Sequence, residues 1–367
     1  VWGRLVEPID VWRDWCDMNL DKICNPDINV VDVLKGVLTP EIIKERPKKH
    51  PYRIDWPNEL DVCCEAGIYV ETPYQSVCFL DITIGLIDVE ENENIQFYVK
   101  NDDFIVEYEL IIDERGWTIC QTKGEEIYFC KKTKKIRLVD YFRENPPEIK
   151  FVDQSSLQGN MYVTLKNSDN FKFCEKQIIC WEWNEVNINK ESQGLTKDIK
   201  SIQYFTIQQL LKMDYDVIFD DDSAGEIADI VTIKEMNDEI CFEFYHCKYA
   251  HGEKPGGRVS DLYEVCGQAE KSVLWKSNML NVLDRIKYRE GKRMRENGIS
   301  RFEKGDLKKI AYLKNKLKFV KSTLNIYIVQ PGISKKQITY EMNQILCGAQ
   351  AYLLDTYGIT LNIICSN

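Results

Sequence analysis

The sequence predicts a mixed α+β/α/β multidomain chain: an N-terminal helical segment, an antiparallel β-rich domain, and a C-terminal domain in which helices and strands alternate. Three observations carry this. The 367 residues exceed one ordinary core. Residues 51–190 break into short β-branched and aromatic runs separated by polar turns such as ENEN, NDD, DERG and TKGE. From 204 onward the pattern changes to α-β-β-β-α(α,α)-β-α-β. With 44% hydrophobic and 29% charged residues the chain is globular rather than disordered.

Taken in order, residues 1–50 read as a helical connecting segment. IDVWRDWCDMNL and INVVDVLKGVL have helical apolar spacing, and Thr39-Pro40-Glu41 reads as a helix start with proline at the first position. Residues 51–195 form the β-rich accessory domain, from YRIDWP to QIICWEW, and nothing in them looks catalytic. Gly194 marks a join. Residues 200–367 form the third unit: a helix near Phe205–Met213, strands at Val217–Phe219, Glu226–Lys234 and Ile240–Tyr249, and a Gly/Pro loop, HGEKPGGR. A helix then starts at Ser260, a candidate N-cap. Helical runs at 278–297 and 305–320 follow, then a strand TLNIYIVQPG. The last helix is expected to be capped by Ser334 and ended by Gly358, before a final strand ITLNIIC.

Charge and cysteine usage bound the partners. The net charge is −11, yet residues 271–321 hold 16 Lys+Arg against 5 Asp+Glu, a local net of +11. Such a stretch can follow a phosphate backbone, although a solvated helix face reads the same way. Fourteen cysteines show no C-x-x-C spacing and several sit in apolar runs, so buried thiols are expected rather than disulfides. With three histidines a zinc site is disfavoured. No apolar run approaches the roughly 20 residues of a membrane helix, and no secretory signal opens the chain. A cytoplasmic location without membrane partners is therefore expected. The chain starts at Val1, and a further domain, such as a helicase, is expected upstream of it.

The chemistry concentrates in DYDVIFDDDSAGEIADIVTIKEMNDEICFEFYHCK, residues 214–248. Phosphodiester hydrolysis needs an activated water and relief of charge on phosphorus. A Mg²⁺ or Mn²⁺ ion on hard oxygen ligands supplies both, helped by a nearby lysine. Asp229 interrupts an apolar strand, where an unpaired charge is expensive. Glu226 lies upstream near the strand's mouth, and Asp220, Asp221 and Asp222 form an acidic turn that reads as solvated. On the next strand, strict alternation places His246 with Lys248. Glu243 joins them only through a bulge. The competing structural explanation is an ion pair between Asp229 and Lys248.

Asp229 on one strand, followed by His246-Cys247-Lys248 on the next and then a helix bearing Gln268, resembles the PD-(D/E)XK (restriction-endonuclease-like) nuclease superfamily. The usual acid two residues before the lysine is His246 here. More loosely, WCDMNL and ESQG are similar to the C-terminal regions of bacterial helicase–nuclease defence proteins. The resemblance implies a metal-dependent DNA endonuclease. Asp229, Glu226 and His246 would bind the metal, Lys248 and Gln268 would serve the site, and Glu243 is the alternative to His246. DNA backbone contacts would come from Lys271, Arg285, Lys287, Arg289, Lys292, Arg293 and Arg295. The alternatives are an inactive DNA- or partner-binding module of the same fold, and an assembly element of a larger machine.

Overall fold

The computed structural model describes residues 40–367 apart from 58–66, 88–93, 154, 165–172 and 277. Before residue 40 it describes Trp12, Arg13, Cys16, Asp17, Leu20 and Cys24, all with helical backbone. The helix expected over INVVDVLKGVL lies outside the described residues. The helix start expected at Thr39-Pro40-Glu41 is corrected: Pro40–Ile42 is a strand, paired antiparallel with Met161–Val163 at the edge of a sheet. Proline has no N–H to donate, which an edge strand tolerates as well as a first helical turn does.

The accessory region comprises three antiparallel sheets of five, four and four strands. Alternation drives them. In Ile95–Lys100, Ile95, Phe97 and Val99 are buried in a common core with Tyr108 and Phe142, while Gln96, Tyr98 and Lys100 face the other way.

The C-terminal region is built on one seven-stranded mixed sheet. Its strands are β1 (Ile178–Cys180), β2 (Val217–Asp220), β3 (Ile230–Glu235), β4 (Glu239–Cys247), β5 (Phe302–Lys304), β6 (Lys321–Ser334) and β7 (Thr360–Ser366), in the order β1-β7-β6-β4-β3-β2-β5. The β1-β7-β6-β4 half is parallel and the β4-β3-β2-β5 half antiparallel. Helix α1 (Ile202–Leu210) covers one face. Helices α2 (Ser260–Lys271), α3 (Met279–Asn297), α4 (Leu307–Lys316) and α5 (Tyr340–Tyr357) cover the other. One strand is assigned to the wrong sheet by the sequence reading and one escapes it. β1, from the QIICWEW run, pairs with β7, so the C-terminal sheet begins inside the range assigned to the accessory domain. The three-residue β5 closes the far edge against β2.

Most helix ends follow the capping rules. Ser201, Asn278, Asp306 and Thr339 accept from backbone N–H groups of their first turns, and Gly298 and Gly358 end α3 and α5 in the left-handed conformation. Two expected caps are corrected. Ser260 is already inside α2, whose preceding residue is Val259. Ser334 belongs to β6, because a 3-10 turn at Lys335–Gln337 delays the helix until after Thr339. The described cysteines are all free thiols. No helix among the described residues is long and apolar enough to cross a membrane.

Candidate metal centre

The site sits where β2 ends, the chain turns, and β3 begins. Asp229 lies one residue before β3 rather than within a strand, and its Oδ2 accepts the Cys247 N–H at 2.8 Å. A side chain thus takes the place of a ladder partner and stops the pairing of β3 with β4 there. Carboxylate oxygens of Asp222, Glu226 and Asp229 lie within 4.8 Å of one another. Asp229 and Glu226 are the expected members; Asp222, expected in a solvated turn, is corrected to a member of the cluster.

What holds the turn is a row of arginines. Arg285, Arg289 and Arg293 are spaced by four on α3, hence on one face, and all three are buried. Arg293 pairs with Asp220 at 2.8 Å. Arg289 pairs with Asp221 and donates to the carbonyls of Asp221 and Ala224. Arg285 donates to the Gly225 carbonyl at 2.5 Å and pairs with Asp81 of the accessory region at 2.7 Å. Arg301 adds bonds to the carbonyls of Asp220 and Asp222. Gly225 is required at the bend: its φ is +74°, and a Cβ there would meet the Leu80 carbonyl at 2.3 Å. The guanidinium groups neutralise Asp220 and Asp221. That leaves Asp222, Glu226 and Asp229 to converge.

Their electrostatics follow from crowding. Burial, then Asp222, pushes the Glu226 carboxyl up to about 8. Burial, then Glu226 and Glu191, pushes Asp229 well above the carboxylate range. A cluster of hard oxygen donors that resists ionising together is chemistry that a divalent cation relieves, and these residues fit Mg²⁺ or Mn²⁺. The sign for stability is definite. A folded carboxyl with a raised pKa stays protonated while its unfolded counterpart ionises, so metal-free stability falls as pH climbs from about 4.5 to about 8. Thermal unfolding in chelator is therefore expected at lower temperature at pH 8 than at pH 5, and Glu226→Gln is expected to flatten that slope.

Lys248, just beyond β4 and 7% exposed, follows Cys247, whose N–H Asp229 accepts. Its Nζ is 3.0 Å from Glu191 and 2.8 Å from Glu264 on α2. Burial works against its charge, but these two carboxylates more than offset that and raise its pKa. An Asp229–Lys248 ion pair is thus not what explains either residue. Glu191 also accepts the Tyr249 N–H at 3.3 Å. Sequence reasoning missed both partners. Glu191 stands in the ESQG stretch quoted for its resemblance, whereas Glu264 shares a helical face with Gln268 and Lys271, a spacing visible in the sequence. Beyond Lys248, His251 Nδ1 meets the buried Asp261 carboxylate at 2.7 Å.

Four expectations are corrected by this geometry. His246 lies outside the carboxylate cluster: its Nε2 meets Ser272 Oγ at 2.6 Å, and burial lowers its pKa to about 3. Glu243 points to the opposite face of the sheet, accepting from Tyr215 at 2.5 Å and Tyr245 at 2.6 Å. No bulge interrupts the pairing of β3 with β4, so it cannot turn inward. Arg285, Arg289 and Arg293 are structural and buried, not a phosphate-tracking surface. Lys271 is also engaged, donating to the Ile84 carbonyl at 2.9 Å, and burial lowers its pKa to about 8. Of the expected basic surface, Lys287 and Arg295 are exposed, and half-buried Lys292 stands 3.9 Å from Asp102. Gln268 is half-buried, with its Oε1 shielded and unbonded. Because Glu243 belongs to the tyrosine cluster, Glu243→Gln is expected to leave Mn²⁺ affinity within about twofold of the parent by calorimetry, within the error of independent sites.

No protein-family model, curated protein or solved structure matches this chain.

Proposed function

We propose that the chain is a metal-dependent nuclease that hydrolyses DNA phosphodiester bonds, with a C-terminal domain of the restriction-endonuclease-like kind. The observation that carries this reading is the convergence of Asp222, Glu226 and Asp229 within 4.8 Å, with Asp229 bonded to the residue before a lysine that two further carboxylates hold. The strand order, with Asp229 just before β3 and Lys248 just after the neighbouring β4, supports the family resemblance.

Asp222, Glu226 and Asp229 would hold Mg²⁺ or Mn²⁺. When bound, that ion would lower the pKa of a water and draw charge from the phosphate. Lys248 keeps its proton against burial through Glu191 and Glu264, so it offers a fixed positive charge to a phosphate oxygen or to the attacking water. Glu191, whose pKa burial raises while Lys248 pulls it down, would accept a proton from that water. DNA contacts would fall to exposed Lys287 and Arg295 and to Lys292, a smaller surface than the local charge of +11 suggests. A part in a larger defence helicase–nuclease belongs to the same proposal.

A second reading, an inactive DNA- or partner-binding module, is favoured by one observation: the position where the family carries an acid is His246, tied to Ser272 away from the cluster. Incubation with plasmid and linear DNA in Mg²⁺, Mn²⁺ or chelator separates the two. Cation-dependent cutting supports the nuclease. DNA binding without cutting, unchanged in Asp229→Ala and Lys248→Ala, supports the module.

A further inference from the structure

The accessory sheet turns one side chain outward, over the strand that α2 grips. In Ile95–Lys100, Phe97 and Val99 point into the accessory core, so Tyr98 points out of it. Its register partner on the neighbouring strand is Gly85. The tyrosine ring lies across that glycine: a Cβ at Gly85 would come within 2.4 Å of the Tyr98 ring and its hydroxyl oxygen. The ring therefore leans over the strand Thr83–Leu86, which Lys271 of α2 grips through the Ile84 carbonyl at 2.9 Å. Glu264, Gln268 and Lys271 form one stripe of α2, and Glu264 holds Lys248. Lys100 Nζ lies 4.9 Å from the Tyr98 ring centre.

We propose that Tyr98 is part of the nuclease site, its hydroxyl donating a hydrogen bond to a phosphate oxygen of the DNA strand bound beside Lys248. This rests on the nuclease reading above and gives the β-rich region a role in it: supplying a substrate contact in addition to Lys248. The phenol lies in the field of Glu264, Lys248, Glu191 and Glu226, and burial, then Glu264, raises its pKa to about 12, so it remains a donor at neutral pH. Gly85 makes the placement feasible, since any side chain there would displace the ring.

The test compares parent, Tyr98→Phe and Gly85→Val on one labelled DNA duplex. Cleavage is read in Mn²⁺, DNA affinity in Ca²⁺, and Mn²⁺ affinity and melting temperature in parallel. Loss of one hydrogen bond to a charged group is expected to lower kcat/KM of Tyr98→Phe about 10- to 100-fold. Its Mn²⁺ affinity and melting temperature should stay at parental values, and Gly85→Val should show the same cleavage loss. Cleavage and DNA affinity of Tyr98→Phe within twofold of the parent would overturn the proposal, as would a loss that only follows Mn²⁺ affinity or melting. A parent that binds DNA without cutting it would remove the nuclease reading. The ratio of parental to Tyr98→Phe affinity in Ca²⁺ would then still decide the contact, equal affinities refuting it.

Discussion

Asp229→Asn is expected to cut DNA at least about 10³-fold more slowly than the parent, a loss of about 4 kcal/mol in transition-state stabilisation, and yet to be the more stable protein in chelator at pH 8. The two effects share a cause. Asp229 is 3% exposed, and its carboxyl is disfavoured as an anion by burial and by Glu226 and Glu191. An amide removes that repulsion and keeps an oxygen to accept the Cys247 N–H. It also removes the negative charge that a divalent cation requires. Lys248→Met is expected to lose cleavage equally but to be destabilised, since it leaves Glu191 and Glu264 facing each other without their shared cation. Melting curves with and without Mn²⁺, beside a cleavage assay, separate the pair. Both variants losing stability together would mean that Asp229 is a structural residue.

Arg289→Met should be the most damaging change outside the cluster itself. It strands Asp221, whose side chain is fully buried, and withdraws donors from the carbonyls of Asp221 and Ala224. Breaking one side of a buried ion pair costs about 3–5 kcal/mol. Because the same turn carries Asp222 and Glu226, Mn²⁺ affinity should fall with stability. Arg295→Met, six residues further along α3 and exposed, should change stability by no more than about 0.5 kcal/mol. Denaturant unfolding and calorimetry on the two variants check this. Equal effects would mean the buried arginines do not hold the turn.

The arginine row of α3 also shows how far the sequence reaches. Arg285, Arg289 and Arg293 at intervals of four announce one helix face. Whether that face meets solvent or a buried acidic turn depends on how α3 docks, and a local surplus of positive charge reads the same in both cases. The Asp220–Asp222 run is the other half of the same ambiguity. By contrast the strands flanking Asp229 and Lys248 are legible, because β2, β3 and β4 are largely apolar runs bounded by polar turns, although β3 starts at Ile230 rather than Glu226. Glu191 reaches Lys248 across a loop that no periodicity describes, β5 is only three residues, too short to alternate visibly, and the QIICWEW run announces β1 but not its pairing with β7. Glu243 and His246 were separable in principle. Strict alternation puts them on opposite faces, and the unbroken β3–β4 register removes the bulge that would have joined them.

Calorimetric titration with Mn²⁺ at pH 7.5, repeated in two buffers of different ionisation heat, tests the metal centre most directly. Binding by Asp222, Glu226 and Asp229 should be saturable, release protons because Glu226 titrates near 8 when no ion is present, and disappear in Asp229→Asn. Saturable binding that releases no protons and survives that substitution, or no binding at all in the folded parent, would contradict it.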